Sequence, residues 1–497
     1  MKKIIILVSL ALTTLLVSCN DYLDVNHDPS NPESVPNSLL IPSAEAFLTS
    51  TVGGDIFNTA GFFCQYTEQA PEANQYNVLC EYSFDNSLFS RSYANLYAGA
   101  LEDLKNVRTQ AEANENWADY YVATVLRAYA YQVFVDYLDQ IPYTEALQGS
   151  ANFNPKWDDG KDVYAGILTE LDEAEAKLPD NMYPISADIL LEKDLNKWKQ
   201  FANALRLRIY MRSSNVEDNS AKIKALIDQN NFPTADVKFD NYTSDVNKYN
   251  PWYETYNALS AQNHVASYPI ITYMKSTQDP RMQAIFKPAT LNNDYNGMIP
   301  GSKTKISATI KNSSFSFVNY AAFQTMPVYL ITQSEVQFFL AEAYLRFYGD
   351  DARAKTAYET AITNNFATRG LNGAGDIYGA GKPADWASAA SNDAKLELIG
   401  KQKWVALCML NNTEAWSEVR RMGYPKMSSA TAAQINANPA VYTAGDLISP
   451  WVNALSQQDK PVLVKKLFAP QTALQTNPNT PKQGPYEPTV PVWWEKN

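Results

Sequence analysis

Histidine is nearly absent from this sequence. The chain of 497 residues has two, His27 and His264, which excludes a zinc centre built from several imidazoles. A Ser–His–Asp triad needs only one and survives the test. Cysteine is almost as scarce. Cys19, Cys64, Cys80 and Cys408 form no C-x-x-C pair, so nothing points to structural zinc or an iron–sulfur cluster. Basic residues are in deficit, 41 Lys and Arg against 53 Asp and Glu, for a net charge of −12. Such a chain lacks the surplus of cations with which proteins hold phosphate backbones, and nucleic-acid binding is disfavoured. Long apolar runs are also missing. The stretch from Ile4 to Val17 falls short of the ~20 residues that cross a bilayer, and no other segment comes near.

What is present begins with that stretch. Met1-Lys2-Lys3 followed by a short apolar run reads as a secretory signal peptide over residues 1–18. The run ends Leu16-Val17-Ser18-Cys19, which resembles a bacterial lipobox, so Cys19 is expected to carry lipid and anchor an otherwise soluble protein to a membrane. Export would leave Cys64 and Cys80 free to form a disulfide in an oxidising compartment. Cys408, in an apolar helical run, reads as a buried thiol. In the segment after the anchor, Asp24, Asn26 and Asp28 alternate as in a calcium loop. Pro29 stands where such a loop needs Gly, and the closing Glu is missing, so the segment reads as a tether and no metal is expected.

Hydrophobic content of 45% and charged content of 19% are globular values, and the body reads as a mainly α fold. Tyr164, Ile167, Leu168, Leu171, Ala174 and Leu178 follow helical spacing and stop at Pro179. Trp198, Phe201, Ala202, Leu205 and Ile209 repeat it, Trp117 to Tyr137 is helical by composition, and Ile399, Ala406, Leu407 and Leu410 stripe another helix. Ser334-x-x-Gln337 suggests a capping box. Ala341-x-x-Tyr344 followed by Ala354-x3-Tyr358-x2-Ala361 resembles a tetratricopeptide pair, in which small residues let two helices approach closely. The helical repeat-like parts are placed at about 95–215 and 330–425 of a single domain spanning 19–497. The stretch of about 230–332, rich in Asn, Tyr, Pro and Gly, reads as a long loop insertion, and 371–390 and the tail from 428 are also loop-rich.

Aromatic residues make up 12% of the chain, and tyrosine, with 31, leads them. A ring with a polar tip suits wet binding surfaces. Two stretches set rings beside amides away from the strong helical patterns. The first carries Gln65, Tyr66, Gln75 and Tyr76, and the second Trp252, Tyr253, Tyr256 and Asn257. Rings of this kind stack on the apolar C–H faces of sugars while amides bond the hydroxyls. Most other aromatics read as packing. No catalytic residue and no cofactor is assigned.

Several motifs together carry a family resemblance. They are Asp21-Tyr22-Leu23-Asp24-Val25-Asn26 with Asp28-Pro29; Leu126-Arg127-Ala128-Tyr129 running to Ile141-Pro142-Tyr143-Thr144-Glu145-Ala146; and Lys197-Trp198-x-x-Phe201-Ala202-Asn203-x-Leu205-Arg206-Leu207-Arg208. Further on stand Ser334-Glu335 to Glu342-Ala343-Tyr344, Gln402-Lys403-Trp404 with Glu414-Ala415-Trp416, Arg420-Arg421-x-Gly423-Tyr424-Pro425, and Gln475-Thr476-Asn477-Pro478-Asn479. In order and spacing the chain resembles the SusD/RagB family of outer-membrane nutrient-uptake lipoproteins, in the branch of starch-binding proteins associating with the outer membrane. The resemblance implies tetratricopeptide-like helix pairs packed against irregular segments. It implies a surface-exposed, lipid-anchored lid that delivers oligosaccharides to a SusC-like TonB-dependent transporter, in a family whose members usually lack catalysis. Some relatives handle peptides, and from composition alone a secreted glycoside hydrolase or a protein-binding helical scaffold remains open. The family's ligand surface draws on the early segment and the mid-chain insertion, but no residue-level ligand motif transfers. Arg206, Arg208, Arg420 and Arg421 read as structural, paired with carboxylates or stacked on rings, and Trp404 and Trp416 as core.

Overall fold

The computed structural model describes residues 35–179, 184–259, 262–457 and 460–496. The signal segment, Cys19 and the Asp24–Asp28 tether lie outside the described residues. No described helix is long and apolar enough to cross a membrane.

Helices dominate. In chain order the longer ones begin with α1 (Asn37–Val52), α2 (Asp55–Phe63), α3 (Glu102–Ala113), α4 (Trp117–Leu138) and α5 (Gly160–Ala176). They continue with α6 (Leu195–Ser213), α7 (Ser220–Gln229), α8 (Pro251–Leu259) and α9 (Tyr268–Ser276). The last four are α10 (Gln333–Ala343), α11 (Asp351–Thr368), α12 (Asn392–Leu407) and α13 (Asn412–Met422). Short antiparallel strand pairs join distant segments: β1 (Thr67–Gln69) with β5 (His264–Ala266), β2 (Gln140–Ile141) with β3 (Asp158–Asp159), and β4 (Val237–Phe239) with β6 (Val328–Ile331).

Helix α4 shows why composition rather than periodicity marked it. Nearly every residue from Ala118 to Leu138 is buried, because α3, α5 and α6 all pack on it. A helix enclosed on all sides needs no polar stripe. The tetratricopeptide-like pair is α10 with α11, joined through Gly349 at φ 64° and capped by Asp350, whose side chain accepts from Arg353 N. The cap of α10 lies earlier than expected. Thr332, not Ser334, accepts from the Glu335 amide, while Ser334 Oγ bonds the Ala361 carbonyl. No reciprocal box forms there, because the Glu335 carboxylate is taken by Arg208.

That pair belongs to a charged network through the helical core. Arg208 holds Glu335 at 2.8 Å and reaches Glu414 at 3.3 Å. Arg212 bonds Glu414 at 2.6 Å and Glu418 at 2.9 Å and faces Asp136 at 3.6 Å. Arg421 bridges Glu342 and Glu418, Lys403 also bonds Glu418, and Arg346 closes on Glu342. Arg208, Arg212, Arg346, Lys403 and Arg421 thus face Asp136, Glu335, Glu342, Glu414 and Glu418, and the charges balance. Burial alone would raise Glu418, but Arg421, Lys403 and Arg212 hold it well below the carboxylate range. For Glu414 burial wins, helped by Glu335 and Glu418, and its carboxyl is raised. Desolvated charges tolerate this only with every partner in place. Arg206 joins Asp172 and Glu175, and Arg420 lies 3.8 Å over the Trp416 ring. The Arg residues and the tryptophans Trp404 and Trp416, all buried, serve the structural roles expected of them.

Two expectations change. Cys64 and Cys80 do not pair. Both are buried free thiols, as is Cys408. The Cys80 sulfur accepts the Gln69 amide at 3.1 Å, while Cys64 faces the Asn412 carbonyl. And the insertion is less irregular than its composition suggests, for it contains α8 and α9.

Candidate functional site

The β1–β5 ladder brings the two candidate stretches together. Gln69 pairs with His264, Glu68 with Val265 and Thr67 with Ala266. The Gln69 side chain then ties the early loop to the insertion: its Oε1 accepts the Tyr76 amide at 2.5 Å and its Nε2 donates to Asn263 Oδ1 at 3.1 Å. Lys303 clamps the same loop from the far side, donating to the Ala73 carbonyl and to Asn74 and Asn77.

Helix α8 supplies most of the rings. Asn250 starts it, its Oδ1 accepting from the amides of Trp252 and Tyr253, and Pro251 fits the first turn because its missing N–H has no intrahelical role there. Trp252 and Tyr256, four residues apart, project on one face. Tyr320 stacks on both, at 3.7 Å and 11° from Tyr256 and 5.4 Å and 12° from Trp252. Tyr253 and Tyr249 extend the row, with centroids 5.5 Å and 5.2 Å from their neighbours. On the other side of His264 stands Tyr76, at 5.0 Å, backed by Phe62 at 5.5 Å.

The hydrogen bonds beneath the row fix its protonation. Trp252 Nε1 and His264 Nε2 both contact Asn58 Oδ1, at 3.1 and 2.7 Å. Indole can only donate, so the Asn58 atom is oxygen, and His264 Nε2 must carry a hydrogen. Its Nδ1 is then an acceptor, and takes the Tyr320 hydroxyl hydrogen at 2.8 Å. The Tyr320 oxygen in turn accepts the His264 amide at 2.9 Å. Every group is satisfied with a neutral imidazole, in keeping with a His264 pKa that burial pushes down to about 3. Burial also raises Tyr76 to about 12, with Asp55 adding, and raises Tyr253, with Tyr256, Tyr249 and Glu254 adding. Tyr76 and Tyr253 thus keep their hydroxyl protons near neutral pH.

A groove of about 390 Å³ with a mixed lining runs along the opposite face of α8, its polar side chains including Asp55, Arg91, Asn95, Glu254 and Thr255 and its apolar ones Pro251, Ala258 and Leu259. Asp55 and Arg91 face each other at 3.9 Å, largely exposed. Glu254 Oε2 is shielded from solvent and has no hydrogen-bond partner. Ring faces thus lie on one side of a single helix and hydrogen-bonding groups on the other.

The residues singled out from sequence divide by burial. Tyr76, Tyr253 and Tyr256 are half-buried in the row, and Gln75 and Asn257 are exposed beside it. Trp252 is 3% exposed and supports the row from beneath, so it offers no face to a ligand. Gln65 and Tyr66 are corrected outright. Gln65 exchanges hydrogen bonds with the Ile448 backbone, and Tyr66 is fully buried with its hydroxyl on the Trp404 carbonyl at 2.6 Å. Sequence reasoning missed Tyr320, Asn58 and Glu254. His264, singular by its scarcity, was the one available signal for the ladder position on which the rings converge.

The chain matches the family model described as starch-binding associating with outer membrane over residues 29–443. A chitin-binding SusD homologue from Flavobacterium johnsoniae shares the fold at a TM-score of 0.74 and 21% identity, with 91% of this chain and 98% of that one covered. A SusD homologue from Bacteroides uniformis gives 0.71 at 21% identity, over 91% and 99%. A Bacteroidetes SusD-like protein gives 0.73 at 19%, over 93% and 100%. A comparison with curated proteins gives no match. With its mainly helical architecture and a family match over most of its length, the chain belongs to the SusD-like family of starch-binding proteins associating with the outer membrane.

Proposed function

We propose that this protein is a non-catalytic, surface-exposed glycan-binding lipoprotein, anchored through Cys19, that captures oligosaccharides on the Tyr76–Tyr256 platform and delivers them to a partner TonB-dependent transporter. The observation that carries the reading is the row of half-buried tyrosines on one face of α8, with a groove holding Asp55, Arg91, Asn95 and Glu254 on the other. Sugars present apolar C–H faces and a rim of hydroxyls, and that row and groove complement them. Glu254 Oε2 is an acceptor awaiting a hydroxyl donor. The family description names starch, and one homologue of the same fold is a chitin-binding protein. Both support a glycan over a peptide. Delivery to a transporter rests on the family resemblance, and the anchor on the lipobox.

A calorimetric titration against panels of oligosaccharides and peptides, beside an assay for newly formed reducing ends, tests the reading. Heat with oligosaccharides and no product is expected. Heat with peptides alone would replace the ligand class, and released reducing ends would give Asp55 and Glu254 a catalytic part. For the anchor, Cys19→Ala is expected to move the protein out of the membrane fraction. For the partner, a large TonB-dependent barrel is expected to co-purify from mild-detergent extracts of native membranes.

A further inference from the structure

Phe62 and Phe63, adjacent in α2, serve opposite sides of the molecule. Phe62 backs the tyrosine platform, while Phe63 packs on Trp416 at 5.2 Å and forms part of the floor of a separate cavity of about 650 Å³. This cavity lies between α13 and the tail. Its floor is apolar, with Val419, Met427, Leu447 and Leu463 beside Phe63. Its mouth is cationic. Lys460 and Lys496 are exposed there, and neither makes an ion pair among the described residues. In a chain of net charge −12 this is a local reversal of sign.

One polar atom inside is unspent. The Glu495 side chain is 4% exposed. Its Oε1 accepts from Lys465 Nζ, yet its Oε2 is buried with no hydrogen-bond partner. Arg420, in the same wall, is occupied by the carbonyls of Trp416 and Lys465 and by Ser417 Oγ. A buried carboxylate oxygen left unsatisfied is unfavourable, and a donor delivered to it recovers that loss. The volume falls within the range of small-molecule sites.

We infer that this cavity binds an amphipathic organic anion bearing a hydroxyl or N–H donor. Its apolar body covers the Phe63–Leu463 floor, its anionic group meets Lys460 and Lys496, and its donor bonds Glu495 Oε2. This ligand differs from a neutral sugar, and the site stands apart from the glycan platform.

Anilinonaphthalene sulfonate combines an apolar body, an anion and an N–H, and serves as the probe. Fluorescence titration of the full-length chain carrying Cys19→Ala is expected to show one saturable site. Reversing both exposed charges, Lys460→Glu with Lys496→Glu, is expected to weaken the probe by at least about tenfold. Both positions are on the surface, so folding is retained. The N-methylated probe, without its donor, is expected to bind several-fold more weakly, and Tyr256→Ala is expected to leave binding unchanged. Failure of the Cys19→Ala chain to bind the probe overturns the inference, as does equal binding by the charge-reversed variant. Loss of binding in Tyr256→Ala would place the probe on the platform instead. Equal affinity for the methylated probe would remove Glu495 from the site.

Discussion

The charged core and the tyrosine platform are assembled from similarly polar residues and solve opposite problems. In the core Arg208, Arg212, Lys403 and Arg421 each meet at least one carboxylate, and the charges of the network balance. On the platform the polar groups beneath the rings are saturated, while the ring faces and the groove beside α8 are left open. Closed polar networks rigidify a fold, and open ones wait for a ligand. Arg208, Glu335, Glu342, Lys403, Glu414 and Arg421, which stand in the motifs that reveal the family, belong to the core network. These recognisable residues of the sequence therefore report on architecture, and the proposed ligand surface lies where no motif stands.

Breaking the core is expected to have the largest effect. Arg212→Met strands Glu414 and Glu418 without one of their partners. It should cost about 3–5 kcal/mol, read as a shifted urea midpoint. An unchanged midpoint would show that the network contributes nothing.

Next come the two titrating groups under the platform, which act in opposite directions. Burial raises Glu68 to about 8 from 4.5, with only the Gly301 amide and Cys80 opposing, so the native state keeps a proton that the unfolded chain releases. Stability from this source falls as pH rises from 4.5 through 8. Burial lowers His264 to about 3 from 6.5, so its contribution falls as pH drops from 6.5 through 3. Between about pH 4.5 and 6.5 the two cancel. Above that window Glu68 acts alone, and below it His264 does, each over about 1.5 pH units or roughly 2 kcal/mol. Glu68→Gln should flatten the alkaline limb of a stability–pH curve, and His264→Gln the acidic one. A variant with both limbs intact would refute the assignment of its group.

Breaking the platform itself should leave stability nearly untouched and reach binding. Tyr256→Ala removes the ring stacked on Tyr320 and is expected to weaken oligosaccharide affinity by roughly tenfold, about 1.4 kcal/mol. Trp252→Ala should do the same indirectly, with a loss of stability that Tyr256→Ala does not show, because its ring is buried. Calorimetry beside thermal melts separates the two. The smallest effect belongs to Tyr253→Ala, farther out along the row than Tyr256, where a loss of two- to threefold is expected, roughly 0.5 kcal/mol. A larger loss there than at Tyr256 would move the centre of the site outward.

Much of the helical scaffold was legible because helical spacing is a local property. Leu171 and Ala174, or Phe201 and Leu205, announce a face wherever they occur. The site was legible only in part. Rings and amides marked Tyr76 and Tyr256, but the same signal marked Gln65 and Tyr66, which the fold buries. Helix α8 escaped notice because its aromatics stand in an Asn-rich, proline-initiated stretch without an aliphatic stripe.

By itself the sequence determined the mainly helical class, the family resemblance and the structural use of its arginines, since each depends on residues near one another in the chain or on charges that burial obliges to pair. The tertiary structure alone decided which rings are half-exposed, that the thiols stay apart, and that Tyr76, Tyr256, His264 and Tyr320 meet in one cluster. That meeting turns on the β1–β5 pairing across nearly 200 residues of chain. A register of that kind is fixed by the packing of both segments at once, and neither segment carries it alone.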